Sequence, residues 1–265
     1  MLDLASTLDL QFNYAQQKAA AARRPGKYLI SSMLAGAFVG IAVVLMFCAA
    51  GPFFAADSPA TKLVAGGVFA VGLILVVFAG AELATSAMMI LTQGALAKRI
   101  NWGAATGTLV FCLVGNLLGS MLFGWIVVQA GIVDAGTPAG EYLAYFLAAK
   151  SHETMWQLFL RGVLCNILVC LAIWSANRSQ SEAGKAIVIF WCLLAFVTSG
   201  YEHVVANMTS FSLGVFVSPA VTTWADFGRN MVFVGLGNWV GGAIFVGVAY
   251  YVVAGRVRAA NSAAA

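Results

Sequence analysis

The chain has 265 residues, of which 62% are hydrophobic and 9% are charged. Because soluble domains carry charge on about a quarter of their residues, this composition excludes an ordinary soluble domain and predicts an integral membrane protein. The formal net charge is +4, but the basic residues gather at the ends of apolar segments, which indicates membrane topology and excludes a nucleic-acid-binding surface.

The amino-terminal segment, residues 1–27, is polar to mixed and lacks the pattern of a cleavable signal peptide. Its stretch YAQQKAAAARR is rich in strong helix formers, so we expect an interfacial or cytoplasmic helix there. Residues 28–255 form one predicted transmembrane domain, and residues 256–265 a predicted cytoplasmic tail. The five cysteines lie in apolar runs without C-x-x-C spacing, which favours packing roles over a disulfide framework or a metal site.

Two long apolar regions decide the number of membrane crossings. The region from Lys62 to Lys98 is too long for one ordinary span and too short for two, and the region from Lys185 to Asp226 poses the same problem. If each is one interrupted crossing, there are six spans, at about 28–50, 63–97, 104–130, 157–177, 186–218 and 230–254.

The distribution of basic residues supports six crossings with both termini in the cytoplasm. Ten basic residues then fall inside: Lys18, Arg23, Arg24, Lys27, Lys98, Arg99, Arg178, Lys185, Arg256 and Arg258. Four fall outside: Lys62, Lys150, Arg161 and Arg229. This excess on the inside agrees with the positive-inside rule.

The chain also contains an internal repeat, over about 28–133 and 154–255. AGAELATSAMM places Glu82 after a glycine, and TSGYEHVVANM places Glu202 likewise 120 residues later. GNLLGS and GNWVGG recur 122 residues apart. Because each half holds three crossings, the second half must be inverted relative to the first, as in channels and transporters whose broken helices meet near the midplane.

At these motifs the sequence resembles the formate/nitrite transporter family over essentially its whole length. AGAELATSAMM is similar to the second-helix motif of that family, GVLCNILVCLAIW to the fourth, SGYEHVVANM to the fifth and GNWVGG to the sixth. The chain resembles the nitrite channels of the family more than its formate channels, because formate channels typically carry an aromatic residue where Ala84 stands.

The resemblance implies an all-α, aquaporin-like protomer in a homopentamer of the bacterial cell inner membrane, with one pore for nitrite, formate and similar anions in each protomer. It implies that His203 is the central pore histidine, with Thr85 and Asn238 near it. Four apolar residues match its constrictions: Phe69, Leu73, Leu83 and Phe196. Lys150 matches a basic residue near the outer mouth.

The polar residues of the two breaks have competing interpretations. A histidine at mid-pore can attract an anion or donate a proton to it, whereas a neutral histidine can simply bind loop carbonyls. Glu82 and Glu202 are expected to accept hydrogen bonds from backbone N–H groups at the breaks and so to support them without touching the anion. Ser86, beside Thr85, can bind an anion or cap a helix, and Asn166 is expected to tie a break to its neighbours.

The sequence therefore predicts a channel for nitrite and related small anions in the lipid bilayer, with no cofactor. Proton-coupled symport through His203 is the alternative mechanism. An intramembrane enzyme built on Glu202 and His203 is disfavoured, because the sequence contains neither HExxH nor GxSxG. An aquaporin-type channel for neutral solutes is disfavoured because the paired Asn-Pro-Ala motifs are missing.

Overall fold

The computed structural model describes residues 1–255, so the predicted tail 256–265, with Arg256 and Arg258, lies outside the described residues. The described chain is helical. Its helices are α1 (Leu4–Ala22), α2 (Pro25–Ala55), α3 (Thr61–Phe69), α4 (Val71–Leu75), α5 (Ala84–Leu96), α6 (Trp102–Gln129), α7 (Pro138–His152), α8 (Met155–Arg178), α9 (Glu182–Thr198), α10 (Val204–Phe216) and α11 (Trp224–Trp239). Two π-helical segments, Val76–Gly80 and Val240–Val248, continue α4 and α11.

Five helical stretches are long and apolar enough to cross a bilayer: Pro25–Ala55, Thr61–Gly80, Trp102–Gln129, Met155–Arg178 and Trp224–Gly255. Such a stretch needs about 20 residues. The chain is therefore an all-helical, multi-pass membrane protein. α9 and α10 are each too short to cross alone but follow one another across a short gap.

Local sequence signals explain where the helices begin. Pro25 and Pro138 occupy the first helical positions of α2 and α7, where the missing N–H costs nothing. The Asn101 side chain accepts a hydrogen bond from the Ala104 N–H at 2.7 Å and caps α6. α8 begins with a capping box between Thr154 and Gln157.

The two 13-residue helices α5 and α10 are the most deeply buried helices of the described chain. Every residue from Ala84 to Ala95 in α5 and from Val204 to Gly214 in α10 is buried. α5 packs against the π-helical segment Val240–Val248, and α10 packs against α6. Each of these two helices thus packs against helices from both halves of the chain.

Glycines of the two G-N-x-x-G motifs let neighbouring helices approach closely. Gly119 of α6 lies against the backbone carbonyl of Met33 in α2, and Gly241 lies against the carbonyl of Val163 in α8. A Cβ at either glycine would overlap that carbonyl oxygen. Both motifs therefore serve the same tight helix pairing, once in each half.

The structure differs from the sequence-based expectations in one region. The spans expected at about 104–130 and 157–177 leave an outer connection between them, and the structure places helix α7 there, at Pro138–His152. Its start is specified locally, because the Thr137 hydroxyl accepts from the Gly140 N–H and Pro138 follows directly. The predicted amino-terminal helix corresponds to α1.

Candidate functional site

The first predicted break is present between the π-helical segment and α5. Gly80 adopts a left-handed conformation, with φ of +78°, which ends the helix, and residues 81–83 are not helical. Asn116 of α6 binds the exposed backbone: its Oδ1 accepts from the Ala84 N–H at 2.9 Å, and its Nδ2 donates to the Glu82 and Ser32 carbonyls. One buried amide therefore satisfies two backbone groups at the break and links them to a carbonyl of α2.

The second break, between α9 and α10, repeats this arrangement. Gly200 is also left-handed, with φ of +74°. Asn238 of α11 accepts from the Val204 N–H at 2.8 Å and donates to the Glu202 and Gly162 carbonyls at 2.8 Å each. The two asparagines thus bind equivalent groups, which gives the G-N-x-x-G repeat a physical function at each break.

The carboxylates at the breaks have partners other than those we expected. Glu82 Oε2 lies 2.5 Å from Lys18 Nζ, and Glu202 Oε1 lies 2.5 Å from Lys150 Nζ. The backbone groups assigned to the carboxylates in the sequence analysis are bound by the asparagines instead. Each glutamate is neutralised by a lysine, so neither presents a bare negative charge to an anion.

The two lysines come from equivalent helices. Lys18 lies in α1, which precedes the first span of the amino-terminal half, and Lys150 lies in α7, which precedes the first span of the carboxy-terminal half. Each glutamate is thus paired with a lysine from the helix that precedes the first long apolar helix of its half of the chain. Lys150 is buried, with a side-chain exposure of 6%, and its Nζ lies 4.2 Å from the centre of the Phe146 ring.

His203 is buried at the start of α10, where it joins the two breaks. Its Nδ1 accepts a hydrogen bond from the Ala206 N–H at 3.1 Å, and its Nε2 lies 3.0 Å from the Thr85 hydroxyl oxygen at the start of α5. Because Nδ1 is an acceptor here, the neutral ring carries its proton on Nε2 and donates it toward Thr85. The donor group of the histidine therefore faces the first break.

A cavity of about 460 Å³ leads to this histidine. We call it the vestibule. Its wall includes Lys150, Arg161 and Asn207, and its deep end is formed by Phe69, Phe196 and His203. The Phe69 and Phe196 rings meet edge to face with centroids 5.6 Å apart, and Phe196 stacks on the His203 ring at 6.0 Å. The vestibule therefore narrows to an apolar collar next to the imidazole.

A second cavity, of about 10 Å³, lies beyond that collar. It shares Phe69, Phe196 and His203 with the vestibule, and it is closed by other apolar side chains, among them Leu73 and Leu83. The four predicted constriction residues are thus all adjacent to His203. An anion passing here would leave most of its water behind.

The remaining predicted site residues contact the backbone. Ser86 Oγ donates to the Leu83 carbonyl at 3.0 Å, and Asn166 Nδ2 donates to the Thr85 and Asn238 carbonyls. Asn238 is fully buried at the second break. The roles of Ser86 and Asn238 toward an anion stay predictions, whereas the contacts of all three residues stabilise the breaks.

Sequence reasoning missed two asparagines beside the second break. Asn207 Nδ2 donates to Glu202 Oε2 at 2.6 Å and to Asn230 Oδ1 at 2.8 Å. Asn207 stands four residues after His203, on the same helical face, and this spacing could have identified it. The pairing of Lys18 with Glu82 had no comparable local signal, because 64 residues separate them.

The chain is similar to a known protein family and to several of its members. The sequence profile of the family described as "Formate/nitrite transporter" matches residues 6–252. "Nitrite transporter NirC" of Escherichia coli K12 is 39% identical, over 90% of this chain and 88% of that protein. "Formate channel BtFdhC" of Bacillus thuringiensis is 36% identical, over 84% of this chain and 85% of that protein.

Two solved structures share the fold. An "FNT family ion channel" superposes with a TM-score of 0.88 at 36% identity and covers 94% of this chain and 98% of its own. A "Pentameric formate channel with formate bound" superposes with a TM-score of 0.73 at 30% identity, over 88% of this chain and 98% of its own. The chain therefore belongs to the formate/nitrite transporter family.

Proposed function

We propose that this protein conducts nitrite and related small monovalent anions, such as formate, across the bacterial cytoplasmic membrane. The observation that carries the proposal is the position of His203, which bonds to Thr85 of the other break and borders both cavities. The relatives named for nitrite and formate support the substrate class.

The electrostatics of the two breaks favour an anion at this point. α5 begins at Ala84 and α10 begins at Val204, so the positive ends of two helix dipoles converge where Thr85 meets His203. The nearby glutamates are paired with lysines and do not oppose this field. The two helix N-termini therefore stabilise an anion in the apolar collar and compensate for its lost hydration.

His203 supplies a hydrogen-bond donor at the collar. Its Nε2–H can donate to an anion that displaces the Thr85 hydroxyl, while Nδ1 stays fixed by the Ala206 N–H. The backbone bond holds the ring in the orientation needed for that donation. The histidine thus acts as a hydrogen-bond donor that compensates charge at the narrowest point.

We further propose six crossings in two inverted repeats, a homopentamer, and both termini in the cytoplasm. The repeated contacts of Asn116 and Asn238 support the repeat. The pentameric formate channel among the similar structures supports the assembly. Exposed apolar side chains along α6, among them Leu118, Leu122 and Trp125, suit contact with lipid or with a neighbouring protomer.

The test is current recorded from purified protein with nitrite, formate, nitrate and chloride in turn. We expect nitrite and formate currents, and we expect His203→Phe to reduce them at least about tenfold because the phenyl ring offers no donor. The matched control is His152→Phe, which replaces the exposed histidine at the end of α7 and should leave the currents intact. Unchanged nitrite current in a correctly assembled His203→Phe protein would refute the assigned role.

The same recordings separate a channel from proton-coupled symport. In a channel the reversal potential follows the nitrite gradient alone. In a symporter in which His203 passes one proton with each anion, the charges cancel, so nitrite enters vesicles without a current and its uptake depends on an imposed pH gradient.

A further inference from the structure

The ionisable side chains of the vestibule balance each other. Apart from His203 and three tyrosines, those on its wall are Asp57, Lys62, Lys150, Glu153, Arg161 and Glu202. Three are basic and three are acidic. With all of them ionised, the vestibule has no net charge with which to concentrate an anion.

The two ion pairs in the vestibule differ in how open they are. Lys150 and Glu202 keep side-chain exposures of only 6% and 3%. Arg161 forms the other pair, with Glu153, and its side chain keeps an exposure of 40%. Arg161 is therefore the more accessible cation of the two ion pairs, and Glu153 occupies part of its guanidinium.

The backbone of Glu153 is fixed by hydrogen bonds, but one oxygen of its carboxyl group lacks a hydrogen-bond donor. It ends α7, and Arg229 of α11 donates to the carbonyls of Ser151 and Glu153. Within residues 1–255, its Oε2 is buried without a hydrogen-bond partner. A buried carboxylate oxygen without a donor favours the protonated carboxyl.

We propose that Glu153 sets the affinity of the vestibule for anions by competing with them for the guanidinium of Arg161. An ionised Glu153 keeps Arg161 occupied, whereas a neutral Glu153 leaves Arg161 to bind the oxygens of a nitrite or carboxylate ion. This inference rests on the proposed anion transport. The planar guanidinium suits a planar two-oxygen anion because it can donate two parallel hydrogen bonds.

The direction of the pH dependence follows from the surroundings of Glu153. Burial, and secondly the negative charge of Glu202, raise the pKa of Glu153 above its ordinary value of 4.5, against the opposing effect of Arg161 and Lys150. The other charged or titratable groups around it are His152 on α7, Arg229 on α11, and Asp57 and Lys62 on the vestibule wall. As the pH falls through this raised pKa, Glu153 takes up a proton and Arg161 becomes available.

The first test is the half-saturating nitrite concentration of the current in Glu153→Gln, measured from about pH 5.5 to about pH 8. We expect it to fall about three- to tenfold near pH 8 relative to the unmodified protein, because the amide cannot neutralise Arg161. We also expect it to change little with pH. The maximal current should stay within about twofold, since the collar at His203 is untouched.

The matched control is Glu182→Gln, which removes the carboxylate of the exposed pair with Lys185 outside the vestibule. This control should leave the half-saturating nitrite concentration unchanged. A second variant, Arg161→Gln, should raise the half-saturating nitrite concentration at low pH. In this variant the half-saturating concentration should no longer depend on Glu153. Glu153→Gln added to Arg161→Gln should then have no further effect.

The outcomes separate this inference from the proposed function. If the unmodified protein passes nitrite but Glu153→Gln has the same half-saturation at every pH, the competition is refuted. Equal effects of Glu153→Gln with and without Arg161 would refute it as well. If the unmodified protein passes no nitrite at all, the proposed function fails instead.

Discussion

The break before α5 and the break before α10 use the same scaffold but carry different chemistry. Each follows a left-handed glycine, each is bound by an asparagine of a G-N-x-x-G motif, and each has a glutamate paired with a lysine. At the position after the glutamate, however, the first break carries Leu83 and the second carries His203. The shared contacts build the breaks, and this single difference gives one of them a proton donor.

The two breaks also differ in how deeply their ion pairs are buried. The Lys18–Glu82 pair keeps side-chain exposures of 14% and 20%, against 6% and 3% for Lys150–Glu202. Glu202 has the additional partner Asn207. The break that holds the histidine is therefore the more tightly specified of the two, as expected for a group whose orientation decides function.

The largest effects should come from the two asparagines. Asn116→Leu or Asn238→Leu leaves three backbone groups without their partner in a dry environment, which we expect to cost about 3 to 5 kcal/mol. Thermal unfolding of the purified protein in detergent measures this. Similar losses in both variants support an equivalent role, and a loss in only one would show that the two breaks are not built alike.

Removing the carboxylate charge of each ion pair should destabilise the protein more at the second break than at the first. Glu202→Gln leaves the buried Lys150 without a counter-charge and should destabilise the protein by about 3 kcal/mol. Glu82→Gln, at the more exposed pair, should cost about 1 kcal/mol. Unfolding measurements on both variants check the order, and a larger loss in Glu82→Gln would contradict the burial argument.

Substitutions at the close helix contacts should destabilise the protein to a similar extent in both halves, and less than loss of either asparagine. Gly119→Ala and Gly241→Ala each force a methyl group against a backbone carbonyl and should cost about 1 to 3 kcal/mol. Gly107→Ala in α6, where an added Cβ meets nothing within 4 Å, is the matched control and should be neutral or slightly stabilising. Melting temperatures that do not differ among the three variants would show that the close approach is unimportant.

The sequence predicted the positions of both breaks because glycine and charge inside an apolar run are local signals. Glu82 and Glu202 stand out for that reason. The G-N-x-x-G repeat contains the asparagines that bind the breaks, but the sequence alone suggested that role for Asn166 and a position near His203 for Asn238. The partners of the glutamates could not be predicted, because Lys18 and Lys150 are distant in sequence and lie in helices outside the apolar runs. Helix α7 was missed because its composition is mixed and its apolar periodicity is weak.

The most direct test of the joined breaks is a double-mutant cycle on nitrite current between Thr85 and His203. Thr85→Val and His203→Gln should be coupled by about 1 kcal/mol or more, since each removes one end of the same contact across the breaks. Ser86→Ala, whose hydroxyl binds its own break at Leu83, should combine additively with His203→Gln. Additive effects of Thr85 and His203 would contradict a pore formed where the two breaks meet.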